Sequence, residues 1–543
     1  MPFQPSITAM LRWQTDTFGD ALQVEEAHSS ASFSDIERRS SVIARGLLAQ
    51  GLGKGSQIGL MLPNGVDWVE AWFAIERIGA VAVLMSTLAR PAEIAHMLRH
   101  ADVAALITTE RYLSNNYREL LEAALPGLAA HDGARPLRLT AAPYLRSIWF
   151  RGGEVPRWAA GGPEALTALA DDFPADLLTA IEGEVTPADP ALIIYTSGST
   201  AAPKAVVHTH GSVTRQGWAM AEYSTYGRGD RVFNGAPFFW VGGLCMGLIP
   251  ASLRGAALIL PQSPSKDAML EAIRTRGVTQ VAGWPAQIPT MQALPGFRPG
   301  DLANLKPSTS QQLGVMGLAP HELTGNSLGM SETFGPYTME KPGVSLPQDR
   351  ALSFSRAIRD AEIRIVDFAT RQPLPPGEVG EICVRGSQLM AGMYKRERPD
   401  VFEPDGFYPT GDTGWLSEDG FLFFRGRRTE MIKTNGANVA PREVELVLAA
   451  QPEVLEAAVF GVPDKKVEEL VTAVVVLRDG ADVDEETLQK RLRAEISPFK
   501  VPKRIVFLAA ADVPRTDTDK IQKVKLKAML SGDGDLTAPA EPH

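Results

Sequence analysis

The sequence predicts an α/β protein of more than one domain. Two observations carry this. Strand-like and helix-like patterns alternate through the first hundred residues, the rhythm of parallel strands covered by helices, and a shorter α/β alternation returns after Pro441. A third observation, the length of 543 residues, exceeds what one hydrophobic core usually organises.

Taken in order, Gln57 to Leu62 (QIGLML) reads as a strand and Pro63-Asn64-Gly65 as a turn. Val69, Trp72, Phe73 and Ile75 then recur at helical spacing. Val81 to Met85 is the next strand, Pro91 to His100 a helix, and Ala104 to Thr108 a further strand. Residues 127–184 are rich in Ala, Gly, Pro and Asp without clear periodicity, which predicts a loop-rich connection. Behind Pro190, Ala191 to Ile194 forms a short apolar run, the mark of a buried strand, and His210 to Ser224 a helix. In the C-terminal part, strands are predicted at Ala457–Phe460, Val471–Leu477 and Ile505–Leu508, with a helix over Asp484–Ile496. From Ser531 onward a disordered tail is expected. There is no internal repeat and no low-complexity tract.

Composition removes several function classes. A net charge of −10 leaves no basic footprint for nucleic acid. Two cysteines, Cys245 and Cys383, cannot build a disulfide framework, and their apolar neighbours suggest core packing. The longest uncharged run, Val232 to Leu253, has roughly the ~20 residues of a spanning helix, but Asn234, Pro237, Pro250 and several glycines interrupt it. A buried pocket wall is expected there, and no transmembrane segment. The start of the chain has no charged n-region followed by an apolar run, so a cytoplasmic enzyme is the expectation.

The chemistry concentrates in a few stretches. Tyr195 to His210 reads YTSGSTAAPKAVVHTH. Thr196, Ser197, Gly198, Ser199 and Thr200 leave a strand end as four hydroxyls around a flexible glycine, and Lys204 follows. Hydroxyls, backbone N–H groups and one ammonium suit a phosphate cradle, although such a loop read alone also fits a polar surface turn. The Walker A pattern is absent, since Ala205 follows Lys204. Pro237 to Leu248 (PFFWVGGLCMGL) sets Phe238, Phe239 and Trp240 ahead of Gly242 and Gly243, as a channel wall or a buried strand and turn would. Asn326 to Pro336 (NSLGMSETFGP), Tyr408 to Asp412 (YPTGD), Phe424 to Lys433 (FRGRRTEMIK), Gly436 to Glu445 (GANVAPREVE) and Pro514 to Lys525 (PRTDTDKIQKVK) follow in that order.

Together these stretches resemble the adenylate-forming superfamily: acyl-CoA synthetases, aryl-CoA ligases, luciferases and peptide-synthetase adenylation domains. The resemblance runs from about Phe33 to Met529 and is specific through the joint order of motifs. It implies a large N-terminal α/β domain of several subdomains over residues 1–426 and a small mobile C-terminal α+β domain over 427–530, with 531–543 as tail. It also implies the reaction: a carboxylate attacks the α-phosphate of ATP to give an acyl-adenylate, and the thiol of CoA then displaces AMP. ATP, Mg²⁺ and CoA are the implied cofactors, with a carboxylic acid as the other substrate.

The same resemblance assigns roles residue by residue. Thr196 to Thr200 and Lys204 would cradle phosphates, with Gly329, Met330 and Ser331 also at the nucleotide. Glu332 would hold Mg²⁺ with Thr196, Asp412 the ribose hydroxyls, and Arg427 ribose and phosphate. Thr429 falls at the hinge, Gly436 and Ala437 line the thiol path, and Lys520 is the catalytic lysine beside Glu332. The substrate pocket would draw on Phe238, Phe239, Trp240, Gly242 and Gly243. No acidic residue stands in Phe238 to Leu244 to meet a substrate ammonium, so an apolar acid, fatty or ring-bearing, is expected. Departures from the family pattern are Ala201 and Ala205 for glycine, Trp240 for histidine, Leu328 for an aromatic, Thr429 for an acid or lysine, and Asp519 for glycine. Two alternatives stay open: a ligase that loads a carrier-protein thiol, and, on the strength of Ala201, Leu328, Thr429 and Asp519, a nucleotide- or acyl-binding protein with degraded catalysis.

Overall fold

The helix Val66–Arg77 shows how the first part of the chain is built. Every residue of it except Asp67 is buried, and Trp68, Trp72 and Phe73 carry the bulk. A helix buried on nearly every side must be covered by neighbouring elements all round. It follows the strand Gln57–Met61 and leads to Val81–Leu84, which pairs in parallel with that strand. The structure is a computed structural model and describes residues 1–196, 204–261, 263, 265–282, 294, 296–306, 326–342, 344, 346–350, 352–434, 437–464, 467–496, 500–516 and 520–531.

A seven-stranded sheet runs in the order Gly392–Met393, Lys204–Thr209, Pro190–Thr196, Val81–Leu84, Gln57–Met61, Ala105–Thr108, Ser147–Phe150. Its last five strands are mutually parallel, and Lys204–Thr209 turns antiparallel. Continuous burial of Ala191 to Ile194 and of Val81 to Leu84 is the pattern of strands covered on both faces. A five-stranded sheet takes the order Gln280–Ala282, Arg231–Asn234, Ala257–Ile259, Leu22–Glu25, Ser30–Ser32, parallel but for the last pair. The predicted strands and the helices at Pro91–His100 and near His210 all form, the latter as His210–Glu222.

Residues 127–184 differ from expectation. They contain the strand Ser147–Phe150 and the helices Pro163–Asp171 and Ala175–Gly183. Each helix buries only two side chains, Leu166 with Ala170 and Leu178 with Glu182, too few to leave a periodic trace. The strand buries Ile148, Trp149 and Phe150 in succession and so shows no alternation.

The run Val232 to Leu253 resolves into the end of a strand, a short turn of helix over Val241–Gly243, a π-helical turn over Leu244–Leu248 and the helix Ile249–Leu253. Among the described residues no helix is long and apolar enough to cross a membrane. Cys245 and Cys383 are buried and form no disulfide.

The chain divides into two compact units, Met1–Glu362 with Val384–Tyr408, and Ile363–Cys383 with Pro409–His543. This division by compactness differs from the domain boundary expected at 426/427. The second unit carries most of a four-stranded sheet ordered Ala361–Val366, Gly380–Gly386, Tyr408–Leu416, Leu422–Arg427. It also holds a smaller α+β body. There the long hairpin Val454–Asp464 and Glu468–Leu477 pairs with Ile432–Thr434 and, in parallel, with Arg504–Phe507. The helices Pro441–Ala449 and Glu485–Glu495 close its core through Val444, Leu448, Leu488 and Leu492.

Candidate active site

In the first unit, both ends of the expected phosphate loop are in place. Strand Pro190–Thr196 delivers Thr196 and strand Lys204–Thr209 begins at Lys204, with these two residues opposite each other in the ladder. Both are half-buried. The apolar strand fixes where the hydroxyl run departs, and the antiparallel return places the ammonium beside that point. Ser197, Gly198, Ser199 and Thr200 lie outside the described residues, as does Ala201.

The motif around Glu332 forms a tight reverse turn. Leu328–Met330 pairs antiparallel with Gly335–Thr338, and Ser331–Thr333 makes one 3₁₀ turn between them. The turn closes on Phe334 at φ 48°, left-handed for a bulky residue, followed by Gly335 at φ 115°. Gly329 has no room for a side chain: a Cβ there would lie 2.6 Å from the Gly335 carbonyl oxygen. Thr333 Oγ1 donates to the Gly335 carbonyl at 2.6 Å and the Met390 N–H donates to the Glu332 carbonyl at 2.8 Å. Glu332 is only 7% exposed, and its Oε1 accepts from the Tyr408 hydroxyl at 3.1 Å. Ser331 is half-buried, and its carbonyl bonds His208 Nε2 at 2.7 Å. His208 lies on the strand that starts at Lys204, so this bond ties the Glu332 turn to the strand leaving the phosphate loop. Burial pushes the His208 imidazole down to about 4, which keeps it neutral at ordinary pH with Nε2 as donor to the carbonyl.

The aromatic–glycine stretch divides by burial. Phe238 is 0% exposed and packs against Trp68 with ring centroids 5.0 Å apart, and its N–H donates to Asn64 Oδ1 at 2.8 Å. The Phe238 ring is thus packed into the core against Trp68. Phe239 is nearly as buried, leaving Trp240, half-buried and edge-on to Phe239 at 5.1 Å, and the exposed Gly242 to meet solvent. Gly243 is held against Pro237, whose carbonyl would collide with any Cβ.

In the second unit, the structure brings together two residues predicted separately. Asp412 and Arg427 face each other across antiparallel strands, and Arg427 Nε lies 2.9 Å from Asp412 Oδ1. Asp412 is buried and its side chain sits on a bend, since Gly411 has φ 75° and Thr410 Oγ1 donates to the Ile382 carbonyl at 2.8 Å. Lys520 is exposed, and its strand-like backbone is pinned by Thr516, whose N–H donates to the Lys520 carbonyl at 2.8 Å and whose hydroxyl accepts from the Lys520 N–H at 3.1 Å. Thr429 and Ala437 have their backbone in a 3₁₀ turn and a short strand; Gly436 and Asp519 lie outside the described residues. Glu445, quoted in the sequence only as part of a motif, is buried where its Oε1 takes the Val459 N–H at 2.9 Å and the Lys523 ammonium at 2.6 Å. Its role is to fasten the helix Pro441–Ala449 to the segment after Lys520.

Sequence reasoning missed His208 and Tyr408. A histidine in an otherwise apolar strand, and a tyrosine inside YPTGD, were the available signals, but neither shows a partner without the fold.

Comparison with known proteins places the chain in a family. The family model described as AMP-binding enzyme matches residues 11–394, and the one described as AMP-binding enzyme C-terminal domain matches 443–520. The chain is 29% identical to the putative acyl-CoA synthetase YngI of Bacillus subtilis (strain 168), over 94% of this chain and 93% of that protein. It is also 29% identical to a feruloyl-CoA synthase of an Amycolatopsis species, over 93% and 95% of the two chains. Among solved structures, ATP-bound MatB from Rhodopseudomonas palustris superposes with a TM-score of 0.78 at 23% identity, covering 96% of this chain and 99% of that one. The anthranilate CoA ligase AuaEII with anthranoyl-AMP superposes at 0.79 and 21% identity, covering 97% and 98%. With family models matching most of its length, the chain belongs to the AMP-binding enzyme family, the adenylate-forming superfamily.

Proposed function

We infer that this enzyme is an ATP-dependent carboxylic acid–CoA ligase that works through an acyl-adenylate. One observation carries the reading above the others: the 2.7 Å bond from His208 to the Ser331 carbonyl, which joins the strand carrying Lys204 to the turn carrying Glu332. Residues more than a hundred positions apart are thereby held on one scaffold. Lys204 and the loop hydroxyls would bind the phosphates, Asp412 the ribose hydroxyls and Arg427 the ribose and phosphate. Lys520 is assigned to the adenylation step, where its ammonium would offset charge gathering on the carboxylate and α-phosphate.

Glu332 fits a magnesium ion that arrives with ATP. It is a single, mostly buried carboxylate, and no group of three or more His, Cys, Asp or Glu side chains suited to a metal occurs among the described residues. Mg²⁺ keeps water and phosphate ligands and takes one or two carboxylates, so a lone glutamate is sufficient. When bound, the ion would neutralise phosphate charge; the protein's part is to hold Glu332 still. Thr196, at the strand end opposite Lys204, would add a hydroxyl.

For the acid we propose an apolar chain or ring. The support is the wall of Trp240, Gly242 and Gly243 and the absence of Asp or Glu in Phe238–Leu244, where an unpaired ammonium would be costly to bury. The test is acid-dependent pyrophosphate release and thioester formation with ATP, Mg²⁺ and CoA, across fatty, aryl and α-amino acids. Activation of α-amino acids alone would refute the substrate class. Thioester formation on a carrier protein but not on CoA would refute the acceptor, and no pyrophosphate with any acid would refute the ligase.

A further inference from the structure

We propose that Tyr408 is a positioning residue for the nucleotide-bound magnesium, acting through Glu332; this rests on the ligase reading above. The Tyr408 hydroxyl donates to Glu332 Oε1 at 3.1 Å. Glu332 Oε2 has no protein donor among the described residues, so the tyrosine fixes one carboxylate oxygen and leaves the other to face a cation. Tyr408 is itself held: it is 5% exposed, edge-on to Phe402 at 6.1 Å, and packed with Val206, Met390 and Val401. Val206 belongs to the strand of Lys204 and His208, and the Met390 N–H caps the Glu332 carbonyl. Glu332 is therefore fixed at three points, of which only Tyr408 reaches the carboxylate. His208 holds the residue before it, Met390 its own backbone, and Tyr408 its side chain.

The physical reason for such a grip is rotamer freedom. A glutamate has three rotatable bonds and loses up to about 2 kcal/mol of entropy when ordered. A lone carboxylate that must order itself on each encounter binds metal more weakly than one already aimed, and donors that orient metal ligands typically carry about 10–100-fold in metal affinity. Tyr408 supplies that aim without touching nucleotide or metal. The stretch around Trp240 and Gly242 proposed for the acid is not involved, so the acid specificity should be untouched.

The experiment is Tyr408→Phe in the full chain, which removes one oxygen and keeps the packing. Two readouts are taken: equilibrium binding of ATP by calorimetry with and without Mg²⁺, and the Mg²⁺ concentration for half-maximal pyrophosphate release at saturating ATP. We expect Mg²⁺-dependent ATP binding to weaken about tenfold and half-saturation by Mg²⁺ to rise about tenfold. Binding of ATP in chelator should stay unchanged, and saturating Mg²⁺ should recover most of the turnover. Loss of ATP binding equally with and without Mg²⁺ would overturn the proposal, because Tyr408 would then serve the fold or the nucleotide directly. An unchanged Mg²⁺ profile would overturn it too. A wild-type enzyme that binds MgATP but releases no pyrophosphate with any acid would defeat the ligase reading alone, and the calorimetry would still decide the role of Tyr408.

Discussion

Replacing Asp412 by asparagine tests the ribose assignment with little disturbance of shape. The cost to folding follows from exposure. Arg427 opposes Asp412 at 2.9 Å but its side chain is 41% exposed, so removing the pair should cost no more than about 1 kcal/mol. The cost to nucleotide binding is larger. Two hydroxyls donating to a carboxylate make two charge-assisted bonds, each worth about 1.5–3 kcal/mol against about 1 kcal/mol for a neutral acceptor. Asparagine offers one carbonyl oxygen and an amide that cannot accept. One bond weakens by about 1 kcal/mol and the other, about 2 kcal/mol, is lost, which sums to about 3 kcal/mol or roughly a hundredfold in ATP affinity. The assay is ATP–pyrophosphate exchange with ATP and with 2′,3′-dideoxy-ATP. The native enzyme should prefer ATP by a factor of that order, and Asp412→Asn should discriminate far less. If the variant discriminates as strongly as the native enzyme, Asp412 does not read the ribose and the reasoning fails.

Other outcomes are expected from the same physical arguments. Lys520→Ala should lower acyl-adenylate formation by about 10²–10³-fold yet still convert supplied acyl-adenylate and CoA to thioester; single-turnover assays of the two half-reactions separate these. Gly243→Ala should cost about 1–3 kcal/mol, read as a lower melting temperature, because the new methyl group runs into the Pro237 carbonyl. His208 supplies a pH dependence whose sign is fixed. Its folded value, about 4, lies below the ordinary 6.5, so the unfolded chain binds more protons between them; its contribution is fully present above pH 6.5 and lost as pH falls toward 4. Melting scans across that window should show His208→Gln less acid-sensitive than the native chain, and equal sensitivity would reject the assignment.

What the sequence determined by itself is local. Apolar runs such as Ala191 to Ile194 and helical spacing such as Val69, Trp72, Phe73 and Ile75 name strands and helices because the period of burial is written along the chain. Ordered motifs likewise placed Lys204, Glu332, Asp412, Arg427 and Lys520 in one chemistry through resemblance, before any distance was known. Two short helices in residues 127–184 escaped because too few of their side chains are buried to set a period, and an edge strand there because it buries three in a row without alternation. Phe238 shows another limit: its neighbours suggest a pocket wall, but its packing on Trp68 depends on a helix far away in sequence. Tertiary structure alone decided which side chains hold the site. His208 meets Ser331 across 123 positions and Tyr408 meets Glu332 across 76, and such pairs leave no period because each rests on a single contact between distant strands. Hydrogen bonds act over about 3 Å, so a residue's partner is set by where the packed sheets bring the chain back together.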